Sequence, residues 1–237
     1  MKQVLLSLIV CTSLQATAQT NNNSNTKRVK GQANDHFMIQ LAADNWSGKP
    51  DSVRTKGIGR GANVYFMINF PFKTNRYLSA AIGAGIGTSS IYFDEQNVLI
   101  GGTSNQLQFN KVDTTNNFKK YKLTTAYLEV PVELRYTSDP DHRNKSWKFA
   151  IGGKVGTLLS SYTKGKTLED KNDRTINEIT EKTKRKSYFN SSRIALTARV
   201  GWGNYSLFGQ YQVTNPFKDG VAPDVRPYSI GIAVSGF

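Results

Sequence analysis

The sequence predicts an all-β fold, an eight-stranded antiparallel up-and-down transmembrane β-barrel. Three observations predict it. No segment after the N-terminus is continuously apolar for the roughly 20 residues that a spanning helix needs. Successive runs of ten or more residues alternate apolar and polar positions with period two. The connections between those runs are alternately long and short, with aromatic residues at both ends of the runs.

The N-terminus reads as an export signal in three parts: Lys2 as the positive start, Val4 to Leu14 as the apolar stretch, and Ala16, Thr17 and Ala18 as the small-residue cleavage site before Gln19. Residues 1–18 are therefore a signal peptide. Cys11 as a lipid-modified cysteine is disfavoured, because bulky Val10 precedes it and the apolar run continues beyond it. Cys11 is the sole cysteine, so the mature chain has no disulfide framework and no thiol chemistry. Residues 19–35 are rich in Asn and basic, with Asn21, Asn22, Asn23, Asn25, Lys27, Arg28 and Lys30. They read as a flexible periplasmic leader, since so few apolar residues cannot offset the entropy of folding. Residues 36–237 form the barrel domain, with strand-like runs at 36–46, 58–70, 77–93, 121–137, 147–163, 188–202, 204–213 and 227–237.

Period two sorts the faces. Val64, Phe66, Ile68 and Phe70 oppose Asn63, Tyr65, Met67 and Asn69 in the second run. In the third, Leu78, Ala80, Ile82, Ala84 and Ile86 oppose Ser79, Ala81, Gly83, Gly85 and Gly87. The fourth sets Ala126, Leu128, Val130, Val132, Leu134 and Tyr136 against Thr125, Tyr127, Glu129, Pro131, Glu133 and Arg135. Trp147, Phe149, Ile151, Val155 and Leu159 then oppose Lys148, Gly152, Lys154 and Gly156 in the fifth, and Ile194, Leu196, Ala198, Val200 and Trp202 oppose Arg193, Thr197 and Arg199 in the sixth. An aliphatic face against a bare or charged one suits lipid outside and a polar lumen inside. A soluble sandwich or lipocalin-like barrel would have to build its core from the Gly-rich and charged face, which packs poorly. Pro131 removes a ladder donor in a closed ring and implies a bulge.

Long connections follow runs one, three, five and seven, and short ones such as 71–76, 138–146 and 201–204 follow the others. The short ones belong to the periplasmic end. Phe37, Phe70, Tyr136, Trp147, Trp202 and Tyr205 fall at that end, and Trp46, Tyr92, Tyr121, Tyr162, Tyr188, Tyr211 and Tyr228 at the outer one, as two aromatic girdles. A ten-stranded ring follows instead if 94–120 contributes a membrane hairpin, which would widen the lumen.

The segment Ala126 to Tyr136, followed by Trp147 to Thr157, resembles the central motif of the porin-like family of outer-membrane β-barrel proteins that includes the PorT-type barrels. The resemblance spans most of the mature chain and marks fold more than activity. It implies an outer-membrane barrel, exported through the cleaved signal, and for a subset of the family a part in the type IX protein secretion system. The last strand departs from the usual assembly signal: Tyr228, Ile230, Ile232 and Val234 share a parity that excludes the terminal Phe237. A bulge near Ser235 and Gly236 restores the register, so that Phe237 serves as the signal read by the barrel-assembly machinery.

Eight strands enclose a space that side chains fill. Glu129 and Glu133 face the same lumen as Arg135, Lys148, Lys154, Arg193 and Arg199, and are expected to pair into a polar plug, because an isolated charge there is costly. The function expected is structural or interactive, with a secretion or assembly component and a narrow solute or ion channel as alternatives. His36 and His142 are the only histidines, both at the periplasmic end with no Ser partner at the outer leaflet, so neither catalysis nor a zinc site is expected. No cofactor is expected, and Gly83 to Gly87 read as lumen spacers because they lead into no helix. The net charge of +14 falls to +13 with loss of Lys2. Export removes nucleic acid as a partner. Lys164, Lys166, Lys182, Lys184, Arg185 and Lys186 are expected in an extracellular loop that either faces lipopolysaccharide phosphates or is simply solvated.

Overall fold

The structure, a computed structural model, describes residues 37–101, 104, 106–111, 117–170 and 174–236. The signal peptide at 1–18, the leader at 19–35, His36 and Phe237 lie outside the described residues. Eleven strands follow in order: β1 (Phe37–Ser47), β2 (Gly59–Pro71), β3 (Leu78–Phe93), β4 (Gln96–Leu99), β5 (Gln108–Lys111), β6 (Asn117–Thr137), β7 (Trp147–Glu169), β8 (Thr175–Lys184), β9 (Ser192–Trp202), β10 (Tyr205–Gln212) and β11 (Arg226–Ser235). The only helical turn among the described residues is the 3-10 turn Arg143–Lys145.

Eight of these strands form a ring in the order β1-β2-β3-β6-β7-β9-β10-β11, antiparallel throughout. It closes where β1 pairs with β11, from Met38↔Ser235 to Ser47↔Arg226. Closure leaves no strand edge in the hydrocarbon, where no water is present to satisfy a bare N–H or C=O. Among the described residues β4 and β5 pair only with each other, so those of the region 94–120 add no membrane hairpin to the ring and the ten-stranded alternative is corrected to eight. β8 pairs with the far end of β7 alone, from Tyr162↔Lys184 to Glu169↔Thr175.

The alternation expected from sequence is present on every ring strand. On β2, Val64, Phe66, Ile68 and Phe70 are exposed while Asn63, Tyr65 and Met67 are buried. On β6, Leu128, Val130, Val132, Leu134 and Tyr136 are exposed while Glu129, Glu133 and Arg135 are buried. A strand tilted by about 40° climbs roughly 2.6 Å per residue along the barrel axis, so a band about 25 Å tall takes roughly ten residues. Counted from Tyr136, the band on β6 ends near Ala126.

Four expectations are corrected. Pro131 sits at no bulge: it pairs with Lys154 on the β7 side in unbroken register. On the β3 side the pairs simply lapse between Ile82↔Val132 and Gly85↔Glu129 and resume in the same register. The missing N–H thus interrupts one ladder without adding a residue. The bulge lies instead on β7, where Ala126↔Ser160 is followed by Tyr127↔Leu158 and Leu159 is left over. Trp46 and Tyr188 are not girdle residues but are buried inside the outer mouth, and Tyr121 packs half-buried against the same cluster, its hydroxyl donating to Val98 O. The run at 188–202 starts as a strand only at Ser192, and the expected basic loop is largely a hairpin, with Lys164 and Lys166 on β7, Lys182 and Lys184 on β8, and Arg185 and Lys186 just after it. By contrast Phe37, Phe70, Tyr136, Trp147, Trp202 and Tyr205 all face outward at the short-turn end, and Trp147 packs edge-on to Trp202 with centroids 5.4 Å apart.

Val132 lies near mid-band on the lipid face. Val132→Arg is expected to destabilise the barrel by about 2–4 kcal/mol, read from equilibrium urea unfolding in phospholipid vesicles; an unchanged midpoint would place this face away from lipid.

Candidate functional site

The lumen is built around two buried carboxylates that β6 projects inward from positions of the same parity. Glu129 is 1% exposed and accepts an ion pair on each oxygen: Arg193 Nη1 of β9 donates to Oε1 at 2.8 Å, and Lys154 Nζ of β7 lies 3.0 Å from Oε2. Tyr65 of β2 donates its hydroxyl to the same Oε2, while Lys154 Nζ donates to the Tyr65 oxygen at 2.7 Å. Four strands therefore meet at one carboxylate. The space for it comes from glycine: a Cβ at Gly87 would stand 2.7 Å from Glu129 Oε2, and one at Gly156 would stand 3.0 Å from its Cγ. Nearer the periplasm, Glu133 Oε2 accepts from Arg135 Nε and from Arg199 Nη2, both at 2.8 Å.

The structure thus joins six of the seven expected lumen charges into two clusters. The seventh, Lys148, lies below them and helps line a cavity with Asn69, Ser79, Arg135 and Arg199. Two groups that belong to the network are not recognised from sequence. Asp44 of β1 is buried beside Ser89 and Ser229 and lies near Arg193 and Lys154. Its shared parity with inward Gln40 is the available signal. Tyr65 is placed inward by its parity, but a tyrosine on a lumen face carries no sequence mark of an ionic partner.

Above the charges sits an apolar cap. Trp46, Val53, Ile91, Phe93, Val98, Ile100, Leu107, Leu123, Tyr127, Leu158, Tyr188, Phe189, Phe217 and Val225 form one buried cluster, to which each of the four long connections contributes. Trp46 meets Phe93 and Phe217 edge-on with centroids at 5.8 and 5.6 Å, and each such contact adds about 0.5–1.5 kcal/mol to plain burial. Backbone bonds tie the connections together, Leu107 N to Val221 O at 2.8 Å and Asn190 N to Pro216 O at 2.9 Å. The cavity between cap and ion network, and the one at the periplasmic end, are each about 20 Å³. That is about room for a single water.

His142 is an exposed turn residue whose Nδ1 lies 3.0 Å from Asp139 Oδ2. The contact holds the Asp139 carboxyl below its usual range. Asp139 also accepts from the backbone N–H groups of Asp141 and His142, so the pair reads as a turn lock. Phe237, the expected assembly signal, lies outside the described residues. The six expected basic residues of the loop are brought to the extracellular end, on and beside the β7–β8 hairpin.

A closed antiparallel ring with aliphatic residues outward and charges inward defines an integral outer-membrane β-barrel protein. The chain belongs to the family described as outer membrane protein beta-barrel domain, which matches residues 14–219. No curated protein matches it significantly. Among solved structures it is similar to Ail, the attachment invasion locus protein of Yersinia pestis, in complex with the heparin analogue sucrose octasulfate, at 13% identity and a TM-score of 0.37 over 84% of this chain and 94% of that one. A second structure of Ail gives 11% identity and a TM-score of 0.36 over the same shares.

Removing one partner of a buried pair leaves the others uncompensated, at a typical cost of about 3–5 kcal/mol. Glu129→Ala, which strands Lys154 and Arg193 together, is expected to lose that much. The readout is the temperature at which the folded, fast-migrating form disappears in heated gel samples; a variant as resistant as the parent would show that the cluster contributes nothing to the fold.

Proposed function

We propose that the protein is a closed outer-membrane barrel with a structural or interaction role, acting through surfaces outside the bilayer and neither as a conduit nor as an enzyme. The observation that carries this reading is the filled lumen: ion clusters on Glu129 and Glu133 across the middle, and an apolar cap over the outer mouth. An ion crossing this path would have to break charge-assisted bonds in a poorly hydrated space and then part a packed aromatic cluster, and either step is expensive. Among the described residues the His142–Asp139 pair makes no hydrogen bond to a serine, and its contacts lock a periplasmic turn. During insertion the barrel-assembly machinery is its expected partner.

A second reading, a PorT-like component of a protein-secretion or assembly machine, is favoured by β8. That strand pairs only with β7 among the described residues, so one row of its backbone donors and acceptors faces outward. An exposed edge is a template onto which another chain can add a strand.

In planar bilayers the purified protein is expected to give no stepwise conductance, whereas a variant lacking the cap through Trp46→Ala and Phe217→Ala keeps the ion clusters and stays silent as well. Steady single-channel steps from the parent chain would overturn the closed reading. For the second reading, tagged protein extracted from native outer membranes in mild detergent is expected to bring down secretion or assembly proteins in stoichiometric amounts, and to lose them when Thr175–Lys184 is replaced by a short turn; recovery of the barrel alone removes that reading.

A further inference from the structure

The basic hairpin carries an arrangement that neither loop composition nor ring closure requires. Lys122 of β6 stands directly opposite Lys164 of β7, and Lys164 directly opposite Lys182 of β8. One step further out, Lys120 faces Lys166, and one step nearer the membrane Lys184 faces Tyr162. Directly opposed residues on adjacent strands lie on the same face, with Cβ atoms about 4.5–5.5 Å apart, and like charges so placed repel. Among the described residues none of these six lysines has a carboxylate within ion-pair distance, whereas nearby Lys56 and Lys119 are paired with Asp94 and Glu169. Glu181 of β8 lines the other face of the hairpin, beside Thr163 and Gly165. The ladder thus keeps its positive charge.

Parity places the ladder on the outside of the barrel. Lys122 and Lys120 continue the even positions that on β6 hold Leu128, Val130 and Val132, all exposed to lipid. With the band ending near Ala126, Lys122 stands roughly 10 Å above it by the same rise per residue. A lysine stem snorkels several ångströms, so the ammonium groups fall at headgroup depth. Aromatic rings interleave the charges as they do at a membrane interface: Lys182 Nζ lies 4.2 Å from the Tyr162 centroid, and Lys122 Nζ and the Arg60 guanidinium both lie 5.8 Å from that of Tyr92. The opposite wall lacks such a grid, since β9 and β10 end on this side in Ser192 and Gln212.

We propose that the outward Lys122–Lys164–Lys182 ladder, with its neighbours on the same face, is a docking surface for the phosphorylated sugar headgroup of an outer-leaflet glycolipid. The site rests on the outer-membrane orientation of the closed barrel and gives that reading a partner of defined chemistry. It differs from a diffuse basic loop, because three strands hold the charges in register at one depth. A multivalent anion bridging adjacent rungs removes the cross-strand repulsion, which makes each phosphate at this position worth more than one in free solution.

The test uses the mature chain in nanodiscs of neutral phospholipid doped with bisphosphorylated lipid A or with the same lipid A after phosphatase treatment. Native mass spectrometry counts the glycolipid retained. Retention of the bisphosphorylated form is expected to exceed that of the dephosphorylated form by at least about tenfold, given the attraction of each basic residue to an anionic surface, and to fall with added salt. Equal retention of the two by the parent protein overturns the proposal, and this comparison needs no variant. The triple change Lys122→Gln, Lys164→Gln and Lys182→Gln is expected to abolish the preference, while Lys73→Gln, Lys145→Gln and Lys218→Gln together preserve it. The reverse pattern also overturns it. Inorganic phosphate at matched concentration is expected to leave retention unchanged; displacement by it would assign the ladder to free phosphate. Conductance recorded on the same preparation judges the closed lumen separately, so an open pore with an intact lipid preference would sink the closed reading alone.

Discussion

Everything in this molecule follows from the requirement that no backbone N–H or C=O be left bare in hydrocarbon. Helices meet that requirement one at a time; strands meet it only by closing a ring, and here the pairing of β1 with β11 makes the closure. Once the ring is closed with eight strands its interior is fixed in width, and the sequence has to fill that width with side chains. Glycines at Gly87 and Gly156 then become necessary, because a carboxylate bound by two cations needs more room than a fully substituted wall leaves. The ion clusters, the cap and the outer lysine ladder are three answers to three environments that one continuous strand meets on its way from periplasm to exterior.

The ion clusters are costly elements that hold only as wholes. Glu129 is buried with two cations and a tyrosine hydroxyl, and each member is tolerable because the others are present. Such a cluster ties together β2, β6, β7 and β9, strands far apart in sequence, and so fixes the register across the barrel as well as filling it. A single slip of β6, β7 or β9 would turn an apolar residue inward and a charged one to lipid.

Much of this is legible in the sequence, and the gaps have physical causes. The faces of β6 can be read directly, because Leu128 to Tyr136 alternate without interruption against Glu129, Glu133 and Arg135. The bulge on β7 is hidden because Leu158 and Leu159 are both leucine: one turns into the cap and the other to lipid, and no residue type marks which. Trp46 looks like a girdle residue since a rim tryptophan has the same identity whether it leans outward or over the lumen. Asp44 lies in a short run whose inner face, Met38, Gln40, Asp44 and Trp46, mixes polar and apolar residues. β8 reads as a loop because both of its faces meet solvent along nearly its whole length, which leaves no buried side to impose an alternation. Pro131 suggests a bulge because the sequence shows a lost donor without showing that one ladder can lapse over two pairs and resume.

The cap divides the protein into two thermodynamic materials. Inside the bilayer, the outward residues of the closed ring contact hydrocarbon, so opening the cap alone leaves their surroundings unchanged and draws from them none of the heat-capacity change that accompanies exposure of apolar surface to water. The cluster of Trp46, Phe93, Phe189 and Phe217 is withdrawn from water itself. Its stability is therefore governed by solvent, weakening on cooling and in urea while the ring beneath stays closed. A barrel that looks intact by its β-sheet content can already have lost its lid.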